Sequence, residues 1–458
     1  MVTSSSVNTS TSKLRASLHG HLILPGDVEY EAARRVWNGV IDRHPVGIVR
    51  CVDANDVQRA VEFGRQSNLD IAVRGGGHSF PGLSTCDSGL VIDLSPMKAV
   101  FVNVNDQSAR AEPGVTLGGL IEATQVYGLG TNTGTASDTG IAGLTLGGGI
   151  GWLMGKYGLT CDSVRSFEVV TADGRLLNAN ANENADLYWG LRGGGGNFGI
   201  VTAFDYQLHP LGTILGGMVV HPLSRARAVL QFYRDFTREL PDELIAACAM
   251  LTTPDGKPVI GILVCYCGDL SQGERVLAPL RKFGPPLVDR IQPMPYAGLF
   301  ALLDSSVPAG RHYYVKGGSL PALGDGAIES LADSAENITS PYSLIAFMKF
   351  HGAASRIGEG ETAFAFREEH YELFFQAGWE DDGQERHVQW ARQSYQTIER
   401  FTSQRAYVNF LADEGMARVR AAYGPNYQRL VALKTKYDPE NVFHLNQNIK
   451  PNTSLDKE

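Results

Sequence analysis

The spacing of apolar residues predicts a strand, a helix and a second strand near the start of the chain. "DANDVQRAVEFGRQSN" repeats its apolar positions with a helical period, and an aspartate at its start is suited to cap the first turn. The apolar runs "VGIVRCV" and "LDIAVRGGG" on either side are typical of strands. Before them, "EYEAARRVWNGVIDRHP" is predicted as a helix, and the polar residues 1–25 are predicted as a flexible terminus.

Further along, the pattern changes in character. "GLVIDLSPMKAVFVNVNDQSARAEPGV" predicts strands split by turns, "TLGGLIEATQVYG" a helix, and "SVRSFEVVTADGRLLNA" a hairpin that turns at 172–175. After about Pro210, strand-like runs such as "GGMVVHPL", "LIAACAMLTT" and "PVIGILVCYCGD" alternate with helices such as "SQGERVLAPLRKFG". This alternation is typical of an antiparallel sheet with helices on one side. Near the end, "RAYVNF" is predicted as a short strand and "PNYQRLVALKTKYDP" as a helix.

Composition narrows the class of protein. The 458 residues are 43% hydrophobic and 19% charged, as in ordinary globular proteins, and the net charge of -9 argues against nucleic acid as a partner. No apolar run is long enough to span a membrane, and "MVTSSSVNTSTSKLRASLHG" lacks the apolar core of a secretory signal. The six cysteines show neither metal-site nor disulfide spacing. We therefore expect free thiols, no metal, no membrane partner and a cytoplasmic location.

The glycines point to a ligand. There are 52 of them, and they cluster at Gly75–Gly77, Gly147–Gly149 and Gly193–Gly196. In "LDIAVRGGGHSFPG" three glycines run directly into His78. Glycine allows backbone to approach a ligand closely, and consecutive N–H groups in such a turn can cradle an anion such as a nucleotide phosphate. The alternative is a tight turn with a surface histidine.

Four segments, in this order, resemble one family. They are the strand followed by "RGGGHS", the cluster "GIAGLTLGGGIGWLMGKYGL", the segment "ADLYWGLRGGGGNFGIVTAFDYQL" and the C-terminal "YGPNYQRLVALKTKYDPENVFHLNQNI". From about Arg50 to Pro451 the chain resembles the FAD-binding oxidoreductases of the vanillyl-alcohol oxidase superfamily, specifically the berberine-bridge-enzyme-like group. No G-x-G-x-x-G stands between a strand and a helix as in a Rossmann fold.

The resemblance implies an α+β fold in two parts. One is a PCMH-type FAD-binding domain, and the other is a substrate domain whose large antiparallel sheet, with flanking helices, covers the flavin ring. The implied bounds are 26–211 for the FAD-binding domain, 212–405 for the substrate domain and 406–458 for a C-terminal berberine-bridge-like segment that returns to the FAD-binding domain.

The resemblance also implies how the cofactor is held. In this family the glycine run holds the FAD diphosphate, and the following histidine bonds covalently to the flavin 8α-methyl; by position that histidine is His78. The positions implied to bind the cofactor are Arg74, Gly75, Gly76, Gly77, His78, Ser79, Gly82, Thr139, Gly140, Gly143, Gly147, Gly148, Gly149, Gly151, Trp152, Gly199, Ile200, Val201, Tyr407, Asn409, Asn446 and Gln447.

The second tether of many members is missing here. Its cysteine would fall at Ala136 in "GTASDTGIAG", and alanine cannot form the bond. Cys161 in "YGLTCDSV" lies too far along the chain and is interpreted as a small buried apolar residue. The chain is therefore similar to the bacterial monocovalent branch that holds the 6-hydroxynicotine oxidases and the enterocin favorskiiase.

The catalytic base is where the sequence departs from the family. Plant members have Tyr-x-Asn-Tyr near the C-terminus, with the last tyrosine as base or as partner of the base. This chain has Phe410 there, and a second, often polar, position is Ile150. The base must come from elsewhere, or the substrate must be acidic enough to need little help. The family places Thr139 beside the flavin where dioxygen approaches, and its compact side chain would leave that approach open.

Three candidates for the base lie on predicted strands of the middle domain. Lys349 and His351 alternate on one face in "YSLIAFMKFHGAASR", and Glu372 lies with Phe374 in "FAFREEHYELFFQAGW", near positions that face the flavin in relatives. Apolar neighbours would raise the pKa of Glu372 and suit it to general base catalysis. Each of the three could instead be a solvated or salt-bridged strand residue.

These observations predict an FAD-dependent oxidoreductase, an oxidase that passes a hydride from a small molecule to covalent FAD and is reoxidised by dioxygen. Apolar side chains at 150, 374 and 410 favour an apolar or aromatic specialised metabolite over a sugar. A flavin-dependent oxygenase or cyclase, a carbohydrate oxidase and an FAD-binding protein without activity stay open as alternatives.

Overall fold

The computed structural model describes residues 4–412 and 414–452. The strands are β1 (His21–Ile23), β2 (Gly47–Arg50), β3 (Ile71–Arg74), β4 (Leu90–Asp93), β5 (Val100–Asn103), β6 (Ser108–Ala111), β7 (Leu129–Gly130), β8 (Val164–Val170), β9 (Leu176–Asn180), β10 (Ile200–Gln207), β11 (His209–Pro210), β12 (Ile214–Pro222), β13 (Leu244–Thr252), β14 (Pro258–Tyr266), β15 (Val288–Asp289), β16 (Gln292–Met294), β17 (His312–Leu320), β18 (Leu344–Phe350) and β19 (His370–Trp379).

The α-helices follow the predicted pattern in most places. They are α1 (Ser4–Ser17), α2 (Tyr30–Ala33), α3 (Ala54–Gln66), α4 (Leu117–Gln125), α5 (Ile141–Leu146), α6 (Met154–Tyr157), α7 (Ala185–Leu191), α8 (Ala226–Phe236), α9 (Leu270–Lys282), α10 (Tyr296–Ala301), α11 (Asp325–Glu336), α12 (Ala353–Arg356), α13 (Gln384–Ile398), α14 (Met416–Tyr423) and α15 (Tyr427–Tyr437). None of the described helices is both long and apolar enough to cross a bilayer.

Two small sheets form the first half of the chain. In the order β1-β2-β4-β3, β2 and β3 both run parallel to β4, and α3 connects β2 to β3 as predicted. The Asp53 side chain accepts a hydrogen bond from the Asp56 N–H at 3.0 Å and so caps α3. The second sheet, β5-β6-β10-β8-β9, is antiparallel and contains the predicted β8–β9 hairpin.

The large sheet has eight strands, in the order β15-β12-β14-β13-β18-β19-β17, with β16 paired to β12. Its pairings are antiparallel, and α8, α11 and α13 cover one face, where Leu331 and Trp390 meet Leu373 and Phe375 in one apolar core. This confirms the predicted large antiparallel sheet with flanking helices. Since side chains alternate along a strand, the neighbours of Leu373 and Phe375 point to the opposite face.

The C-terminal helix returns to the first half of the chain. Leu430 and Leu433 of α15 pack in the same core as Trp189 and Phe198, which precede β10. The bounds 26–211, 212–405 and 406–458 stay a prediction. The first strand of the eight-stranded sheet begins at Ile214, close to the predicted end of the FAD-binding domain at residue 211.

Three local expectations differ from the structure. Residues 4–17 form α1, and His21–Ile23 pair with Gly47–Arg50, because Leu14 and Leu22 are buried beside α3 rather than left in solvent. Within 29–45 only Tyr30–Ala33 are helical, because the Trp37 N–H donates to the Gly77 carbonyl at 3.1 Å instead of continuing a helix. Residues Val408–Phe410 form a 3-10 turn, not a strand.

Candidate functional site

The first glycine run lies directly after β3, at the carboxyl end of a parallel pair. A Cβ on Gly76 would lie 2.5 Å from the Gly140 nitrogen, and Gly77 has a φ of +70°. No side chain can therefore be accommodated where this loop meets the N-terminus of α5. Two loops that are 60 residues apart in sequence are brought into backbone contact, which explains why both carry glycine.

This loop presents a row of free donors. The backbone N–H groups of Gly76, Gly77, His78 and Ser79 make no hydrogen bond to any described residue. Consecutive free N–H groups form a concave site for an anion, as the phosphates of a dinucleotide require. The loop is closed by Ser79, whose carbonyl accepts from the Gly82 N–H at 3.1 Å and whose hydroxyl accepts from the Leu83 N–H at 3.1 Å.

Arg74 has a structural role. Its guanidinium donates to both Asp93 oxygens, at 2.8 and 3.2 Å, and to the Ala33 carbonyl at 2.6 Å. Both side chains of the pair are almost fully buried. The Arg74 side chain therefore ties β3 to β4 beneath the loop, and its contact with the cofactor stays a prediction.

His78 is held on two sides. Its Nε2 lies 3.2 Å from Asp138 Oδ1, and its ring stacks on Trp37 with centroids 4.1 Å apart. The Trp37 indole N–H donates to the other oxygen of Asp138 at 3.0 Å, and Tyr313 stacks on the far face of Trp37 at 4.3 Å. Burial acts to raise the pKa of Asp138, but the hydrogen bonds from His78 and Trp37 outweigh it and hold that pKa below its ordinary value.

Thr139 follows Asp138 in the same loop and is half-buried. Its carbonyl accepts from the Leu117 N–H at 2.8 Å, and its own N–H donates to Ala136 at 3.3 Å. The backbone of this residue is therefore fixed beside the first glycine run, next to Gly76 and Gly140.

The second glycine cluster meets the C-terminal segment. The Gly149 N–H donates to the Tyr407 hydroxyl at 3.1 Å, and the Asn409 amide donates to the same oxygen at 2.8 Å. Burial raises the pKa of Tyr407 to about 12, so this hydroxyl keeps its proton at neutral pH. Positive φ values of +120° at Gly148 and +91° at Gly149 explain the glycines. Gly147 ends α5 beside Asn409. Gly151 lies against the backbone of Thr133, and Trp152 is buried.

The third glycine cluster is bound by the end of the chain. The Asn446 amide donates to the Gly196 carbonyl at 3.2 Å, and Gln447 donates to the Leu411 carbonyl at 3.1 Å. The Asn446 Oδ1 atom is buried with no partner among the described residues. Gly199, Ile200 and Val201 lie where β10 begins, and the two apolar side chains belong to the packed core.

The uncovered face of β19 carries His370, Glu372, Phe374 and Gln376, because their neighbours Tyr371, Leu373 and Phe375 point into the helix-covered core. Glu372 is 4% exposed, and its Oε2 lies 3.2 Å from His370 Nε2. Its Oε1 is buried without a partner among the described residues. Burial raises the pKa of Glu372, although the hydrogen bond with His370 acts in the opposite direction.

A row of aromatic side chains begins at His370, the hydrogen-bond partner of Glu372. Successive ring centroids are 4.7 to 6.2 Å apart from His370 through Phe350 and Phe364 to Tyr407, and then 5.0 Å apart to Phe410 and on to Phe374. This row of contacts joins β18, β19, the loop between them and the C-terminal turn. On its far side Phe80, two residues after His78, meets Phe410 at 6.4 Å.

The other two candidate bases lie elsewhere. Lys349 pairs with Glu369 at 3.0 Å and lies over the Tyr371 ring, which is on the helix-covered face opposite Glu372. His351 lies beyond the end of β18 and donates from Nε2 to the Leu244 carbonyl at 3.0 Å. Burial lowers the pKa of His351. The structure thus does not bring Lys349 and His351 together on one face, because the strand ends at Phe350.

The cysteines and one group of potential metal ligands lie apart from the contacts of His78 and Glu372. Cys161 is fully buried, burial raises its pKa far above the ordinary value, and the six cysteines are all free thiols. One group of potential ligands does occur, at His19, Asp53 and Asp56. Asp56 accepts from the N–H groups of His19, Gly20 and Val52, and Asp53 caps α3, so this group joins the N-terminal segment to α3.

An FAD molecule fits these residues on two observations. Free N–H groups line the first glycine loop, and a Cβ placed on Gly143 or Gly196 would meet no atom within 4 Å, so the space beside both glycines is open. The fold and the site therefore define a flavoprotein oxidoreductase, with a dinucleotide loop beneath a sheet that presents a buried acid.

The comparisons with known proteins agree. Residues 45–180 match the model of an FAD binding domain, and residues 406–450 match that of berberine and berberine-like proteins. An FAD-linked oxidoreductase of Dictyostelium discoideum is 33% identical over 441 residues, which cover 95% of each chain. The (R)-6-hydroxynicotine oxidase of Paenarthrobacter nicotinovorans is 29% identical over 449 residues, covering 96% of this chain and 98% of its own.

The solved structures give the same result. The crystal structure of 6-hydroxy-D-nicotine oxidase from Arthrobacter nicotinovorans superposes with a TM-score of 0.88 at 29% identity, covering 95% of this chain and 99% of that one. This chain belongs to the FAD-linked oxidoreductases of the berberine-bridge-enzyme-like group, which confirms the family and fold inferred from its motifs.

Sequence reasoning missed several residues of this site. Trp37 stacks on His78, and Asp138 lies within hydrogen-bond distance of it, although both are distant from it in sequence. His370 pairs with Glu372. Gln376 shares the face of Glu372, and its buried Nε2 has no partner among the described residues. Only the alternation of side chains along β19 could have indicated His370 and Gln376, because both lie on the same face of the strand as Glu372.

Proposed function

We propose that this chain is an oxidase that carries one FAD on His78 and oxidises an apolar or aromatic small molecule. When bound, FAD supplies a two-electron acceptor that takes hydride from the substrate and returns the electrons to dioxygen as hydrogen peroxide. The observation that carries the proposal is Glu372, a buried carboxyl that pairs with His370 and has one oxygen without a partner among the described residues. A carboxyl in this environment is suited to accept the substrate proton.

The substrate class follows from the walls around Glu372. Phe374 and Phe410 are 5.0 Å apart, and the buried Ile150 is next to Gly149 in the second glycine cluster. Burying an apolar side chain against a ligand contributes about 1.5–3 kcal/mol, whereas a sugar hydroxyl would find few partners on these walls. A flat molecule with an activated alcohol, phenol or amine carbon fits them better.

The single tether rests on two positions. His78 lies within the row of free N–H groups, and its Nε2 is 3.2 Å from Asp138 Oδ1. Ala136 has no side chain that could form a second bond to the flavin. Thr139, beside Gly76 and Gly140, is the proposed gate through which dioxygen approaches. The glycine loops and the residues Tyr407, Asn409, Asn446 and Gln447 complete the proposed cofactor contacts.

Anaerobic mixing with a substrate panel tests the function. The panel contains aromatic alcohols and phenolic polyketides beside cellobiose, lactose and glucose, and the absorbance of the oxidised flavin is recorded. We expect bleaching by one or more of the aromatic compounds and, on admitting air, recovery with one peroxide per turnover. Bleaching by the sugars alone contradicts the substrate class. Labelled dioxygen appearing in the product supports an oxygenase instead, and no bleaching by any compound supports a protein without activity.

A further inference from the structure

His78 makes contacts that covalent attachment to the flavin does not by itself require. Its Nε2 is 3.2 Å from Asp138 Oδ1, and the second Asp138 oxygen is held at 3.0 Å by the Trp37 indole N–H. The same indole stacks on the imidazole at 4.1 Å. One carboxylate and one ring thus fix both the direction of the imidazole and the nitrogen that faces the carboxylate.

A carboxylate only accepts hydrogen bonds, so the proton of a neutral His78 ring must lie on Nε2. The lone pair is then on Nδ1, the nitrogen that faces away from Asp138. A carboxylate placed this way also stabilises the positive charge that develops when Nδ1 forms a bond, as the aspartate of a serine protease triad does for its histidine.

The loop that carries Asp138 is itself anchored. The Ser137 N–H donates to Asp304 Oδ1 at 3.0 Å, and the Ser137 hydroxyl donates to Oδ2 at 2.7 Å. The Asp138 side chain is 46% exposed, so it is not needed to fill a core. Its contacts point instead to a role toward His78.

We propose that Asp138 is the positioning residue for flavin attachment, holding His78 in the tautomer whose Nδ1 bonds to the flavin 8α-carbon. The inference rests on the single tether proposed above. In the reaction a C–N bond forms, one proton leaves the 8α-methyl and one leaves the imidazole. The two electrons pass into the flavin ring and then to dioxygen, which takes two protons to give hydrogen peroxide. Histidine, FAD and dioxygen thus balance with the linked flavin and peroxide.

The test measures attachment separately from binding. Full-length apoprotein is mixed with saturating FAD in air, and covalent flavin is followed by in-gel fluorescence after denaturation, while non-covalent affinity is measured by quenching of FAD fluorescence. The variants are Asp138→Asn, which keeps the shape but not the charge, and Asp304→Asn, which loosens the same loop without touching His78. We expect attachment on the order of 10²-fold slower in Asp138→Asn. Its affinity for FAD and its melting temperature should match wild type, and Asp304→Asn should attach within about twofold of the wild-type rate.

The outcomes separate the two proposals. Attachment in Asp138→Asn at the wild-type rate, or equal slowing in both variants, overturns the role of Asp138 and leaves the tether intact. Wild-type protein that releases all its flavin on denaturation overturns the tether, and this inference with it. A linkage through Nε2 in the isolated flavin peptide contradicts the assigned tautomer.

Discussion

Glu372 takes its chemistry from its neighbours on the uncovered face of the large sheet. Glu372 is 4% exposed, and His370 is its one hydrogen-bond partner among the described residues. Because burial raises its pKa, this carboxyl keeps its proton to a higher pH than an exposed glutamate does, and it can accept a proton only above that pH. The sequence indicated this residue through its apolar surroundings, but not His370, since a pairing two positions along a strand requires that the strand register be known.

This environment predicts a pH dependence. The rate of substrate-driven flavin reduction should rise with pH through an apparent pKa above the usual glutamate value of about 4.3, and then become constant, since only the deprotonated carboxyl accepts a proton. Glu372→Gln should lower the plateau by about 10²–10⁴-fold and remove this step. Rapid mixing without oxygen at a series of pH values measures it.

Glu369→Gln is the matched control, because Glu369 is half-exposed and pairs with Lys349 on the other face of the sheet. Its pH profile should follow that of wild type. If Glu372→Gln reduces its flavin at the wild-type rate, Glu372 is not the base, and His351→Ala becomes the variant to measure.

At the scale of elements, the C-terminal turn Val408–Phe410 connects the second glycine cluster to the large sheet. The sequence predicted a strand here, with Tyr407 and Asn409 on one face and Phe410 on the other. In the 3-10 turn, Tyr407 and Phe410 meet edge to face at 5.0 Å, and the Tyr407 hydroxyl reaches Gly149. Strand propensity lost to this tertiary contact. At Trp37 a predicted helix ends because the backbone N–H donates to the distant Gly77 carbonyl.

Tyr407→Phe tests this connection. Without the hydroxyl, the buried Gly149 N–H has no acceptor, which costs about 1–3 kcal/mol of the free energy of unfolding. We expect a lower melting temperature and weaker non-covalent binding of FAD. Both are measured on the purified variant by thermal unfolding and by titration.

Tyr157→Phe provides the comparison, because its hydroxyl donates to the Pro210 carbonyl at 3.2 Å near the surface. Its free energy of unfolding should change by no more than about 0.5 kcal/mol. Equal stability in the two variants would show that the hydrogen bond to Gly149 contributes nothing.

At the scale of the whole molecule, the site is assembled from segments that are distant in sequence. His78, Tyr407 and Glu372 lie on the first glycine loop, the C-terminal turn and the large sheet. A buried ion pair between Asp162 and Arg367, at 2.8 Å, holds the second glycine cluster to the loop between β18 and β19. Local motifs predicted the family, the large sheet and most helices, because glycine loops and apolar periods are local features.

Contacts across long sequence separations were not predictable in this way. Asp138 meets His78 over 60 residues and Trp37 over 101, so neither contact leaves a pattern in any short window. The strand β1 was not predicted for the same reason, since it pairs with β2 across a long loop. Whole-molecule packing determines both.

The central claim is that a single FAD is bonded to His78. Intact mass spectrometry of the acid-denatured protein tests it most directly, with His78→Ala as the comparison. We expect wild-type protein heavier than its chain by one FAD less the two hydrogens lost in bond formation, with the flavin on the peptide that contains His78. The His78→Ala chain should have no added mass. A yellow wild-type protein whose denatured chain has no added mass, or a flavin found on Cys161, would contradict the account.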